Sequence, residues 1–138
     1  MRAPSFPRAV SPWMLLPAVA VTLAVAGAHP EFRVRVNYVT VNLSTPVEEM
    51  LGTVFVPVGD VCKAVGARWE HDAGGQRLIV RRGERRREIP LRRSRGGAFR
   101  RDKWFLADCQ ALAKALAGSV IYKRGEREVI FVVPTSGG

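Results

Sequence analysis

A Val-Pro-Val step running into a short apolar stretch that ends on glycine limits this chain's fold more than any other feature. Val54-Phe55-Val56-Pro57 is rich in β-branched and aromatic residues and reads as a strand. Val58, Val61, Cys62 and Val65 follow at helical spacing, with Asp60 near the start and Gly66 just past the end. Trp69-Glu70-His71-Asp72 and Leu78-Ile79-Val80 then flank Gly74-Gly75, which is a hairpin signal. The unit is strand, short helix, hairpin.

A degenerate second copy follows. Trp104-Phe105-Leu106 reads as its strand, and Asp108 to Ala117 as a helix closed by Gly118. Val120 to Lys123 and Val129 to Val133 form its hairpin around Gly125. Matching Phe55 to Phe105, Val65 to Leu116 and Trp69 to Val120 makes the two helices differ by one residue in length. The expected fold class is α+β: an antiparallel sheet with two short helices, built from two degenerate strand-helix-hairpin repeats. Trp69 and Trp104 are expected in the core or under the hairpins, with Val58, Val61, Leu112 and Leu116.

Ahead of the first copy, residues 32–43 alternate in a β pattern, as one long strand or as a tight hairpin at Asn37-Tyr38. Ser44 to Gly52 reads as a loop. Residues 1–28 read as a secretory signal: Arg2 and Arg8, an apolar run from Met14 to Ala26, and a small-x-small site at Ala26-Gly27-Ala28. The alternative is an uncleaved N-terminal anchor, the one route by which this chain would touch a membrane. The expected domain is 29–133, with a tail at 134–138. A core of this size leaves no room for a separate catalytic domain.

Residues 81–103 carry Arg81, Arg82, Arg85, Arg86, Arg87, Arg92, Arg93, Arg95, Arg100, Arg101 and Lys103 against Glu84, Glu88 and Asp102, a net of +8. From His29 onward the chain has twenty Lys and Arg against twelve acids, also +8, so the rest of the domain is neutral. Clustered arginine suits phosphate and carboxylate, and an exported protein meets those groups on cell-wall polymers. The competing reading is compositional, because Arg outnumbers Lys eighteen to four. Specific nucleic-acid reading is not expected: no recognition motif is present, and Phe99 is the one aromatic inside the basic run. Ser94-Arg95-Gly96-Gly97 reads as a mobile loop between the copies.

Cys62 and Cys109 each fall on the apolar face of a helix. Either they bridge the two copies, as an exported protein permits, or they remain core thiols. No hydrolase motif or phosphate loop is present, and Glu48, Glu49, Glu70 and Asp72 read as solvated acids rather than a catalytic pair. A Cu(II) site would need the His29 amine and imidazole, exposed by cleavage after Ala28, together with His71.

Val56-Pro57-Val58, Val65-Gly66-Ala67 and Trp69 together resemble the N-terminal stalk-type domain of copper amine oxidases, which also occurs without any oxidase in exported bacterial proteins. The resemblance spans about residues 32–133. It implies an exported, non-catalytic module with no cofactor. The oxidase chemistry of that family belongs to a different, larger domain with a modified tyrosine and three histidine ligands. This chain has two histidines, and Asn37-Tyr38-Val39 lacks the acid expected after such a tyrosine. The functional expectation is an envelope module that binds an anionic cell-wall polymer or envelope proteins through 81–103. The alternatives are a structural stalk without a ligand and a copper-binding protein using His29.

Overall fold

Residues 32–134 are described by a computed structural model. The signal segment expected at 1–28, His29, and residues 135–138 of the tail lie outside the described residues. The chain begins with β1 (Arg33–Val36) and β2 (Val39–Thr40), then β3 (Glu48–Met50), β4 (Thr53–Pro57), α1 (Val58–Val65), β5 (Arg68–Asp72), β6 (Arg77–Arg82) and β7 (Arg85–Pro90). It continues with β8 (Ala98–Arg101), β9 (Trp104–Asp108), α2 (Cys109–Ala115), β10 (Ser119–Lys123), a single 3₁₀ turn (Arg124–Glu126) and β11 (Glu128–Val132).

The class is α+β, but the strands make three sheets rather than one. Their orders are β3-β4-β9-β8, β10-β11-β1-β2 and β5-β6-β7. Among the described residues every pairing of named strands is antiparallel except β11 with β1, which run parallel from Glu128 opposite Arg33 to Phe131 opposite Val36. A parallel pair needs a long crossover. Here the whole intervening domain supplies it, which is why a local sequence pattern did not announce it.

Asn37 and Tyr38 form a tight hairpin turn, with φ of 50° and 69°. The Asn37 side-chain oxygen accepts the Val133 N–H at 2.9 Å, and its own N–H donates to the Phe131 carbonyl at 2.7 Å. The loop expected from Ser44 to Gly52 ends early. Leu51 and Gly52, at φ of 51° and 82°, turn β3 back onto β4. Both central residues of such a turn need positive φ, which matches the twist of the flanking strands.

The elements recur at a constant spacing of 51 residues: β4 with β9, β5 with β10, and the start of β6 with the start of β11. Backbone positions of positive φ recur at the same spacing: Leu51 and Asp102, Gly66 and Ala117, Gln76 and Arg127. At this spacing Phe55 corresponds to Leu106 rather than Phe105, and the helices differ by one residue as expected, eight in α1 against seven in α2. Each helix ends alike. The Ala67 N–H returns to the Cys62 carbonyl, and the Gly118 N–H to the Ala113 carbonyl, both at 2.8 Å.

The central sheet is covered on both faces. Val54, Val56, Phe105 and Ala107 join the main core, with Val61, Cys62, Leu112, Leu116, Leu78, Val80, Val129 and Phe131 from the helices and the other two sheets. Phe55, Phe99 and Leu106 form a smaller cluster, flanked by Met50 and Trp104. Trp69 departs from its expected burial and is 36 % exposed. It stands on the edge strand β5, in a T-shaped contact with the Phe105 ring at 5.7 Å and beside Gly59 of α1, with the remainder open to solvent. Trp104 is half-buried beneath Lys103, whose ammonium lies 5.0 Å from the ring centroid.

Cys62 and Cys109 are both buried and unpaired. Burial pushes each thiol up to about 12, with the Asp108 carboxylate adding to the effect at Cys109. An unfolded thiol ionises near about 8.5. Between these values the unfolded chain sheds protons that the folded one keeps, so stability present below about 8.5 falls as pH rises toward about 12. Urea unfolding across this window should show the decline, and a C62A/C109A variant should show a shallower one. Equal slopes would exclude the thiols as its source.

Tyr38 is 60 % exposed and sits in the left-handed region without a packing reason to do so. Tyr38→Gly removes that strain and should raise unfolding stability by about 1 kcal/mol in urea melts. A loss of stability would show that the exposed ring makes a contribution of its own.

Candidate functional site

The basic segment does not form one surface. Strand alternation divides it first. On β6 and β7, Arg81 and Arg86 point to the outer face of their sheet, where Arg81 meets Glu70 at 3.4 Å and Arg86 meets Glu88 at 2.8 Å. Arg77 joins this lattice, at 2.9 Å from Asp72 and 3.0 Å from Glu88. The Gly75 N–H and the Arg77 guanidinium hold Asp72 below the usual carboxylate range, and the hydrogen bond from Arg86 does most to lower Glu88.

Arg82 and Arg85, on the opposite face, finish the two helices. Arg82 donates to the Val65 carbonyl at 3.1 Å and to Pro134, while Arg85 donates to the Lys114 and Ala115 carbonyls at 3.0 and 3.3 Å. The Val65, Lys114 and Ala115 carbonyls lie at the negative ends of the helix dipoles, where a guanidinium is favourable; the Lys114 carbonyl also accepts the Ala117 N–H at 3.1 Å. Arg93 and Arg101 converge on Glu48 at 3.0 and 2.6 Å, and Arg93 also covers the Phe99 ring at 4.4 Å. Arg101 adds a bond to the Thr45 hydroxyl at 2.8 Å.

Among the described residues, Arg87, Arg92, Arg95, Arg100 and Lys103 have neither a carboxylate partner nor a helix end to close. Arg92 donates to the Arg95 carbonyl at 3.4 Å, Arg87 to the Arg86 carbonyl at 3.1 Å, and Arg100 to the Asp102 carbonyl at 2.7 Å.

Two of these five line a cleft of about 580 Å³ between β7 and α2. Its cations are Arg85 and Arg87 from the strand, Arg95 from the preceding loop, and Lys114 from the helix. Its acids, Glu88 and Asp108, are already engaged. Glu88 serves Arg77 and Arg86, while Asp108 accepts the Gly96 N–H at 2.7 Å and the Gln110 N–H at 3.0 Å. The volume falls in the range of small-ligand sites.

Asp108 builds this cleft. It is 2 % exposed, caps α2, and ties the Arg95-Gly96 loop to the helix start. The loop expected to be mobile is thus fastened, with the Gly97 N–H bonded to the Ser94 carbonyl at 3.0 Å and the Arg92 N–H to the Ala98 carbonyl at 2.8 Å. Gly97 permits this: an added Cβ would run into the Arg92 carbonyl. The sequence reading missed Lys114, Gln110 and Asp108. The available signal was helical spacing, which puts Gln110 and Lys114 on the face opposite Leu112 and Leu116.

Elsewhere, His71 lies on β5 with its ring 4.8 Å from Phe105, and no group of three His, Cys, Asp or Glu converges among the described residues. Glu49 receives the Tyr122 hydroxyl at 3.3 Å, so the four acids singled out in the sequence all have partners.

Asp108→Ala should cost about 2–4 kcal/mol, since it strips a buried cap and leaves two N–H groups unpaired. Urea unfolding measures the loss, and amide exchange should show Gly96 and Gly97 losing protection first. A cost within about 0.5 kcal/mol, the size of an ordinary surface change, would show that the cap is dispensable.

No protein-family model, curated protein or solved structure matches this chain.

Proposed function

We propose that this chain is an exported, non-catalytic envelope module that binds an anionic cell-wall polymer through part of its basic segment. Its frame is read as two degenerate repeats of the copper amine oxidase N-terminal-like kind, supported by the 51-residue recurrence of strands and of positive-φ positions. The observation that carries the binding reading is the sorting of the arginines. Four are neutralised by acids and two close helix ends, while Arg87, Arg92, Arg95, Arg100 and Lys103 are left with their charge directed to solvent or the cleft. Cations that neither hold the fold together nor pair with acids are available to an anionic partner.

The test is co-sedimentation of the full-length chain with isolated cell walls over a salt series. A variant with Arg87, Arg92, Arg95, Arg100 and Lys103 all changed to Gln runs beside it. Binding should weaken steadily with salt, as counterion release requires, and the variant should be lost from the pellet. Absence of binding at low salt would remove the polymer reading and leave a structural stalk as the better account.

A further inference from the structure

We infer that the cleft between β7 and α2 is a phosphate site, taking one phosphate group of a phosphodiester or polyphosphate chain. This rests on the anionic-polymer reading above and narrows it to one place and one headgroup. Three elements deliver cations from different directions: Arg85 and Arg87 from the strand, Arg95 from the loop and Lys114 from the helix, with Gln110 beside Lys114. A carboxylate is planar and is satisfied by a single guanidinium fork. A tetrahedral phosphate offers more acceptor oxygens in diverging directions, and so meets donors that do not share a plane. Among the described residues, the Arg95 guanidinium and the Lys114 ammonium have no hydrogen-bond partner of their own. No aromatic residue lines the cleft, so it would grip backbone charge and have nothing on which to stack a base.

The 51-residue spacing supplies an internal control. Moving back by that spacing from Ala111, Lys114 and Ala115 gives Asp60, Lys63 and Ala64, which line a comparable groove of about 710 Å³ beside α1. The rest of that groove is neutral, including Asn37, Thr40, Asn42 and Ser44, and Asp60 accepts from the Ser44 N–H and hydroxyl at 2.7 and 2.8 Å. An arginine excess spread by composition alone would reach both grooves. It reaches one.

The probe is short-chain polyphosphate, titrated into the full-length chain by calorimetry, with polyglutamate as the carboxylate comparison. Two variants are needed: R87Q/R95Q/K114Q in the cleft and K63Q/K123Q, two exposed lysines outside it. Arg85 is left intact because it closes α2, and urea midpoints confirm that both variants fold. The cleft variant should bind polyphosphate about 10-fold or more weakly, because three phosphate-facing cations are gone. The outer variant should change by less than about 2-fold, and the wild type should prefer polyphosphate to polyglutamate. Equal weakening in both variants would overturn the cleft and leave the diffuse polymer reading standing. Equal affinity for the two polymers would overturn the phosphate assignment. A wild type that binds neither polyphosphate nor cell walls would sink both readings.

Discussion

The antiparallel pairing of β4 with β9 holds the rest of the domain in place. Val56 lies directly opposite Ala107, between Pro57 opposite Leu106 and Phe55 opposite Asp108. Each strand runs straight into its helix, at Val58 and at Cys109, so the register of this one pair fixes where both helices start. It also decides which side chains reach which core. Val56 and Ala107 face the helices and the outer sheets, while Phe55 and Leu106 face the small aromatic cluster. A slip of one residue would exchange these sets and put every apolar group on the wrong face.

The sequence made the helices and hairpins legible because their signals are local. Gly66 sits at φ of 73° where a helix must end, and Leu78-Ile79-Val80 is a buried β run. Long-range relations were less legible. The strand β1 pairs in parallel with β11 at the far end of the domain, and nothing within either strand encodes that choice. The turn at Leu51-Gly52 was hidden because an exposed leucine holds a positive-φ position that usually signals itself through Gly or Asn. The match of Val65 with Leu116 and of Trp69 with Val120 keeps the 51-residue spacing, and only the match of the strands ahead of the helices was off by one. Phe55 and Phe105 look alike, yet backbone conformation equates Phe55 with Leu106.

The basic segment shows a different limit. Composition counts charges without saying which are in use. In sequence, Arg85, Arg86 and Arg87 are three adjacent cations. Strand alternation sends Arg86 to a carboxylate on one face, while Arg85 and Arg87 turn to the other face toward α2. Arg85 then spends its donors on helix carbonyls, and Arg87 does not. A single exposed ion pair is worth only about 0–1 kcal/mol. The lattice of Arg77, Arg81 and Arg86 on Glu70, Asp72 and Glu88 therefore matters less for stability than for neutralising a face that would otherwise repel itself.

Segments that recur 51 residues apart make their differences informative. Where geometry is demanding, positions at this spacing agree in conformation even when the residues differ: Gly66 and Ala117 both take the left-handed turn after a helix, and Gln76 and Arg127, both at positive φ, precede β6 and β11. Where geometry is permissive, they part. Asp60 uses its carboxylate to fasten Ser44 across the α1 groove, whereas Ala111 at the equivalent place on α2 leaves the groove open and without a competing acid. Both acids that border the α2 cleft are committed elsewhere: Asp108 is turned inward to the Gly96 and Gln110 amides, and Glu88 pairs with Arg77 and Arg86. Positive charge in that cleft is thus unopposed on both counts. An unopposed cluster of cations costs stability through mutual repulsion unless something anionic binds it. That cost, borne in one groove and absent from its counterpart, is the physical reason to look for a ligand there.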